Sequence, residues 1–240
     1  MAAGAGVAGA AGAEGAGAPR SSFSRGRRAA DPVAHLTAFF DALERALLPP
    51  GPLVEQVLVP EDDAANPQQA TTVAQKLVDN KVNGVIGHLN SGTTIPASKI
   101  YNDAGIPQIS PSATNPKYTK QGYKGAFRVV ANDGQLGGAL GRYAANTLKV
   151  KNIAIIDDRT AYGQGVADEF AKAAKAAGAQ IVNRQFTNDK AMDFSAILTA
   201  IKKTNPELVF FGGMDAVAGP MLRQMHQLGL QAKFMGGDGI

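Results

Sequence analysis

From Leu53 onward the apolar positions alternate between short continuous runs and stripes of helical period, which predicts strands and helices in turn. The run LVEQVLV, residues 53–59, is strand-like. Asn66 and Pro67 then suit the cap and first turn of a helix whose apolar stripe lies in QQATTVAQKLVDN. GVIG, residues 84–87, is a second short apolar run. The segment from Thr93 to Asp103 has helical spacing, with Pro96 in its first turn and Gly105 beyond its end, and PQIS follows as a third run. This β-α-β-α-β order predicts a parallel sheet flanked by helices.

AFRVVANDGQ, residues 126–135, reads as an extended crossover with a hinge, leading into the helix LGGALGRYAANTL. A second series follows with the same wiring. The strands are NIAIIDD, QIVNRQF, ELVFFGG and KFMGG. The helices between them are GVADEFAKAAKAAG, DFSAILTAIKKTN with Asp193 as its cap, and VAGPMLRQMHQLG. No short-period repeat accompanies this symmetry, so the two halves share an architecture and are not a solenoid. The expected division is an atypical segment at 1–52, a first lobe at 53–130 and a second at 131–240.

The first fifty residues have a different pattern. Residues 1–30 are Ala, Gly and Arg with few large apolar side chains, too little surface to offset the entropy of ordering, and are expected to be disordered. HLTAFFDALERALL, residues 35–48, places Leu36, Phe39, Phe40, Leu43, Leu47 and Leu48 on one helical face before Pro49, Pro50 and Gly51 end it. Arg20, Arg25, Arg27 and Arg28 follow the weakly apolar stretch, the reverse of the charge order of a secretory signal.

Composition narrows the function classes. The 240 residues are 45% hydrophobic, enough for packed cores, and contain no cysteine, which removes disulfides, thiolate nucleophiles and Cys-based zinc sites. His35, His88 and His226 stand too far apart for a paired metal site, so no metal is expected. The net charge is +4, but Lys and Arg are interspersed with Asp and Glu, so neither nucleic acid nor a membrane surface is the expected partner. The sequence holds no apolar run long enough to span a bilayer.

Ligands of open parallel sheets bind beyond the carboxyl ends of strands, which directs attention to the residues after each strand. GVIG leads into His88, Leu89, Asn90, Ser91, Gly92, Thr93 and Thr94 at the start of a helix, where free N–H groups and the helix dipole suit an anion. Taken alone, the loop favours the plainer reading, in which Ser91 or Thr93 only caps the helix. PQIS leads into Pro111, Ser112, Ala113, Thr114, Asn115 and Pro116, either a second set of ligand hydroxyls or an ordinary turn. In the second half, strand ends lead to Arg159, Thr160, Ala161 and Tyr162, to Met214 and Asp215, and to Asp238. GQGVAD, residues 163–168, has Asp168 at the third glycine of a dinucleotide fingerprint and so fails that test. Asp157 and Asp158 read as loop or cap groups. With no nucleophile elbow, phosphate loop or triad order, no enzyme activity and no cofactor are expected.

Taken together, LVPEDDAANPQQA, GVIGHLNSGTTIPASKIYNDAGIPQISPSATNP, FRVVANDGQ, IAIIDDRTAYGQG and GGMDAVAGPMLRQ resemble the Leu/Ile/Val-binding proteins of bacterial ABC importers, type I periplasmic binding proteins. The resemblance runs from Leu58 to Ile240. It implies an α/β, two-lobed fold that closes on a neutral or branched-chain amino acid. Ser91 would then hold the ligand carboxylate with its hydroxyl and amide, beside Gly92 and Thr93, and Thr114 would add a second hydroxyl and amide. The Ser112 carbonyl would face the ammonium, Ala113 would line the pocket, Asp238 would supply the countercharge and Tyr162 would close from the second lobe. Met214 stands where some members carry tyrosine.

The resemblance further implies a monomer in the periplasm with ABC permease subunits as partners. The opening strand and later segments of the family have no counterpart in this sequence, so an incomplete first lobe with exposed sheet edges and apolar surface is expected. A cytoplasmic amino-acid or amide sensor on the same lobes, and a non-functional fragment, are the alternatives left open.

Overall fold

The structure, a computed structural model, describes residues 58–240. The disorder expected over 1–30 and the helix expected over 35–48 lie outside the described residues. So does most of the strand expected over 53–59, whose described end, Leu58 and Val59, belongs to no strand.

The first half opens with helix α1 (Pro67–Asp79), started by Asn66, whose side-chain oxygen accepts from the amides of Gln68 and Gln69. Strand β1 (Val85–Ile86), helix α2 (Ser91–Asp103), strand β2 (Gln108–Ser110), the short helix α3 (Lys117–Lys120) and strand β3 (Ala126–Arg128) follow. The three strands form one parallel sheet in the order β1-β2-β3. Two expectations change here. Residues 126–128, read from sequence as crossover, pair with β2 as a third strand, because Phe127 stands in register with Ile109. Helix α2 begins at Ser91, so Pro96 lies inside it. One face of this sheet packs on α1 and α2 through Val73, Ala74, Leu77, Val85, Ala97 and Tyr101. On the other face Ile86, Ile109 and Phe127 form one register row and are 53%, 39% and 51% exposed.

Residues 129–132 lead to α4 (Asp133–Arg142), which continues as a π-helical turn at Tyr143–Thr147. Asn132 starts it through a reciprocal cap. Its side chain accepts from the Gln135 amide at 3.1 Å, and the Gln135 side chain accepts from the Asn132 amide at 3.0 Å. Then come β4 (Asn152–Asp157), α5 (Ala161–Ala176), β5 (Gln180–Phe186), α6 (Ser195–Lys202), β6 (Leu208–Gly212), α7 (Asp215–Gln227) and β7 (Lys233–Gly236). Phe194, without a side-chain cap bond, precedes α6, while Asp193 still accepts from the Ser195 amide and hydroxyl.

All four strands of this second sheet are parallel, in the order β5-β4-β6-β7. Alternation along β4 sends Ile153 and Ile155 into the core with Phe170 and Phe210, and Ala154 and Ile156 into the opposite core with Leu198, Phe211 and Met221. Both faces are covered, as parallel sheets require, and β4 accordingly reads as an unbroken apolar run. Helices α4 and α5 meet along a glycine seam. A Cβ on Gly137 would stand 2.8 Å from the Val166 carbonyl oxygen, and one on Gly141 2.8 Å from the Ala174 amide nitrogen.

Candidate functional site

The end of β1 is anchored before it reaches the cleft. The His88 ring pairs with Asp63 at 2.6 Å and Tyr101 at 3.0 Å, and its carbonyl accepts from the hydroxyls of Thr94 at 3.0 Å and Ser110 at 2.7 Å. Ser110 also accepts from the amide of Ala113 at 2.9 Å, tying the two strand-end loops together. Arg128, at the end of β3, donates to the carbonyls of Ala113 at 3.1 Å and Asn115 at 2.9 Å, so both neighbours of Thr114 are fixed from outside.

These restraints leave particular groups free to act. Ser91 is buried as the first residue of α2 and does not cap it; its Oγ accepts from the Asn115 amide at 3.1 Å, which leaves its own proton for another acceptor. The Thr114 hydroxyl is buried and lies beside the Asp133 carboxylate without a well-aligned hydrogen bond to it. Thr93 is different: its hydroxyl and amide both donate to the Asn90 carbonyl, so it belongs to the helix start. Gly92 faces an outer groove, described below.

On the second half, Thr160 caps α5 by accepting from the Gly163 amide at 2.9 Å, and Asp158 fixes Thr160 by accepting from its amide at 2.9 Å and hydroxyl at 2.7 Å. The helix therefore starts four residues before its expected beginning. Tyr162 lies in its first turn, and GQGVAD lies wholly within the helix. Asp157 accepts from Arg184 at 2.9 Å and from the Arg159 amide at 3.2 Å, so both strand-end carboxylates serve structure.

Tyr162 donates to Asp238 Oδ1 at 2.8 Å and accepts from the Gly239 amide at 2.9 Å. Burial, with the nearby Asp238 charge, raises the Tyr162 pKa, so the phenol stays protonated and acts as a donor. Glycine is required around it: a Cβ on Gly237 would stand 2.5 Å from the Tyr162 hydroxyl.

Leu89, Asn90, Ser91 and Ser112 from the first half meet Tyr162, Met214, Asp238 and Gly239 from the second around a cavity of about 30 Å³. That is room for water, not for an amino acid, so entry of a larger molecule requires the walls to part. A second groove, of about 380 Å³, lies between α2 and α5 and includes Gly92, Asn115, Lys117, Ala161, Gly165 and Asp168. Ser91, Ser112, Tyr162, Met214 and Asp238 thus share one cavity. Ala113 and Thr114 are buried in the loop behind it.

One polar group at this junction escaped the sequence reading. Asp133, first residue of α4, is fully buried, and neither carboxylate oxygen has a hydrogen-bond partner. Its own amide donates to the Thr114 carbonyl at 2.9 Å. Burial pushes its carboxyl up to about 6; Asp238 and Glu169 add to the shift, and the Thr114 hydroxyl and Arg128 oppose it. The signal for Asp133 was its place after the capping residue Asn132, which sequence patterning treats as ordinary helix-start chemistry. Among the described residues no cluster of acidic and histidine side chains could hold a metal ion. No described helix is long and apolar enough to cross a membrane.

Two helix-flanked parallel sheets whose strand-end loops meet over a small polar cavity define a two-lobed α/β fold of the periplasmic-binding-protein type. The chain belongs to the periplasmic binding protein family, which it matches over residues 54–239. It is 44% identical over 184 residues to an amino acid binding protein of Pseudomonas aeruginosa, covering 76% of this chain and 49% of that one. It is also 44% identical over 179 residues to Leu/Ile/Val-binding protein homolog 1 of Brucella abortus, covering 75% and 48%. The chain therefore spans about half the length of the curated relatives it matches. Among solved structures, a leucine binding protein of Thermotoga maritima is similar with a TM-score of 0.77 and 27% identity, over 83% of this chain and 57% of that one. The branched-chain amino acid transporter substrate binding protein of Streptococcus pneumoniae, in complex with isoleucine, gives 0.69 and 29% over 76% and 52%.

Proposed function

We propose that this protein is the solute-binding component of an ABC importer and holds a neutral, branched-chain-like amino acid between its two halves. The observation that carries this reading is the pairing of chemistries at one junction. The free hydroxyl proton of Ser91 and the amides of Ser91 and Gly92 lie at the start of α2, Asp238 stands across the cavity from them, and Asp133 is buried nearby beside Thr114. Donors at a helix N-terminus suit a carboxylate, and these acids with the Ser112 carbonyl suit an ammonium. An unpaired buried carboxylate is costly, and a ligand ammonium would relieve it.

The remaining wall supplies the side-chain preference. Leu89 and Met214 offer apolar surface, and among the described residues no cationic side chain lines the cavity. Burying an aliphatic side chain contributes about 1.5–3 kcal/mol. Micromolar affinity needs about 8 kcal/mol, so the charged ends of the ligand must supply most of it. The named relatives support the same ligand class, and with it a periplasmic location and permease partners. Calorimetric titration with leucine, isoleucine and valine tests the reading. Binding is expected, weakened at least tenfold by Ser91→Ala and by Asp238→Asn. Affinity unchanged in both variants contradicts the assignment.

A further inference from the structure

We propose that Asn115 is the latch between the two halves, through which closure depends on the loop that holds the ligand's carboxylate; this rests on the binding role proposed above. All four of its polar groups are engaged. Its amide donates to Ser91 Oγ at 3.1 Å, its side-chain oxygen accepts from the Lys117 amide at 2.9 Å, and its carbonyl accepts from Arg128 at 2.9 Å. The remaining group, Nδ2, donates at 2.7 Å to the carbonyl of Ala161, in the first turn of α5. Among the described residues this is the single side-chain hydrogen bond that joins residues 58–128 to the second half.

The partner surface is shaped to receive that amide. One turn beyond Ala161, a Cβ on Gly165 would stand 2.8 Å from Asn115 Nδ2 and would press on Asp133 as well, so bare backbone is needed there. Beside this contact the halves separate into the 380 Å³ groove, with Lys117 on one lip and Asp168 on the other. Apart from the backbone bond from the Asp133 amide to the Thr114 carbonyl at 2.9 Å, close to the crossover, closure rests on this one directional bond.

The coupling follows from which atoms are shared. Ser91 Oγ positions the Asn115 backbone and, with its free proton, is the group assigned to the ligand carboxylate. Ala161 adjoins Tyr162, which orients Asp238. A ligand that orders Ser91 and Asp238 together therefore favours the Asn115 bond, and by reciprocity that bond favours the ligand.

The test uses two spin labels. The chain has no cysteine of its own, so Lys99→Cys on α2 and Lys172→Cys on α5, with side chains 65% and 80% exposed, give unique attachment points across the cleft. Asn115→Asp keeps the oxygen that receives the Lys117 amide but turns an oxygen toward the Ala161 carbonyl. Gly165→Ala wedges the same contact from the opposite side.

Both variants are expected to move the ligand-free distance distribution to longer values. Both should also weaken leucine binding by roughly two- to tenfold, the range expected for one lost hydrogen bond. A distribution unchanged from the parent in both folded variants overturns the latch. Absence of leucine binding to the parent contradicts the proposed function instead, and the ligand-free distances still decide the latch.

Discussion

Asp133, buried beside the junction, is expected to make ligand binding pH-dependent. Its folded-state pKa, raised from 3.8 to about 6, means that the folded protein holds this proton more tightly than the unfolded chain. The resulting stabilisation is present below 3.8 and lost as pH rises through about 6. Ligand binding has the opposite sign, because an ammonium prefers the ionised carboxylate. Leucine affinity is expected to fall as pH drops below about 6, by up to tenfold per unit, as read by titrations from pH 5 to 7.5. Asp133→Asn should flatten that profile, weaken binding at pH 7.5 and raise the melting temperature of the ligand-free protein. A variant as pH-dependent as the parent would assign the titration to another group. Ser91, Ser112, Tyr162 and Asp238 were legible in sequence because each follows a strand run. Asp133 was not, since its importance lies in burial and unsatisfied oxygens, which only the tertiary structure creates. Thr93 was legible as a hydroxyl at a helix start, but its commitment to the Asn90 carbonyl was not.

At the scale of elements, periodicity gave the strand and helix series, and local hydrogen bonding moved the boundaries. Helix α5 begins at Ala161 because Asp158 and Thr160 build a cap ahead of the apolar stripe, and that shift brings Tyr162 to the cleft. Strand β3 was hidden by its length: three residues give no readable alternation, and only pairing with β2 defines it. Glycine is intrinsically unfavourable inside a helix, yet the seam between α4 and α5 requires two of those in LGGALGR. Gly141→Ala would bring a Cβ to 2.6 Å from the Phe170 carbonyl oxygen, where backbone must move. Urea denaturation should show a loss of about 1–3 kcal/mol, the usual range for overpacking. Unchanged stability would mean that the two helices separate readily.

For the whole molecule, the two-sheet α/β plan was legible from alternating runs, and the meeting of the two halves was not. Asn115, Asp133 and Tyr162 lie far apart in sequence and are joined by the approach of α5 to the first half's loops. That approach turns separate helix starts and turns into a junction where Ser91 and Ser112 of the first half meet Tyr162 and Asp238 of the second. The central claim is that both charged ends of an amino acid are read together. Calorimetric titration of the protein with leucine, 4-methylpentanoate and 3-methylbutylamine, which share the aliphatic group and differ in their ionic ends, tests it most directly. Leucine should bind at micromolar concentration and each one-ended analogue about a hundredfold or more weaker, since each loses hydrogen bonds to a charged group. An analogue binding as tightly as leucine would contradict the account.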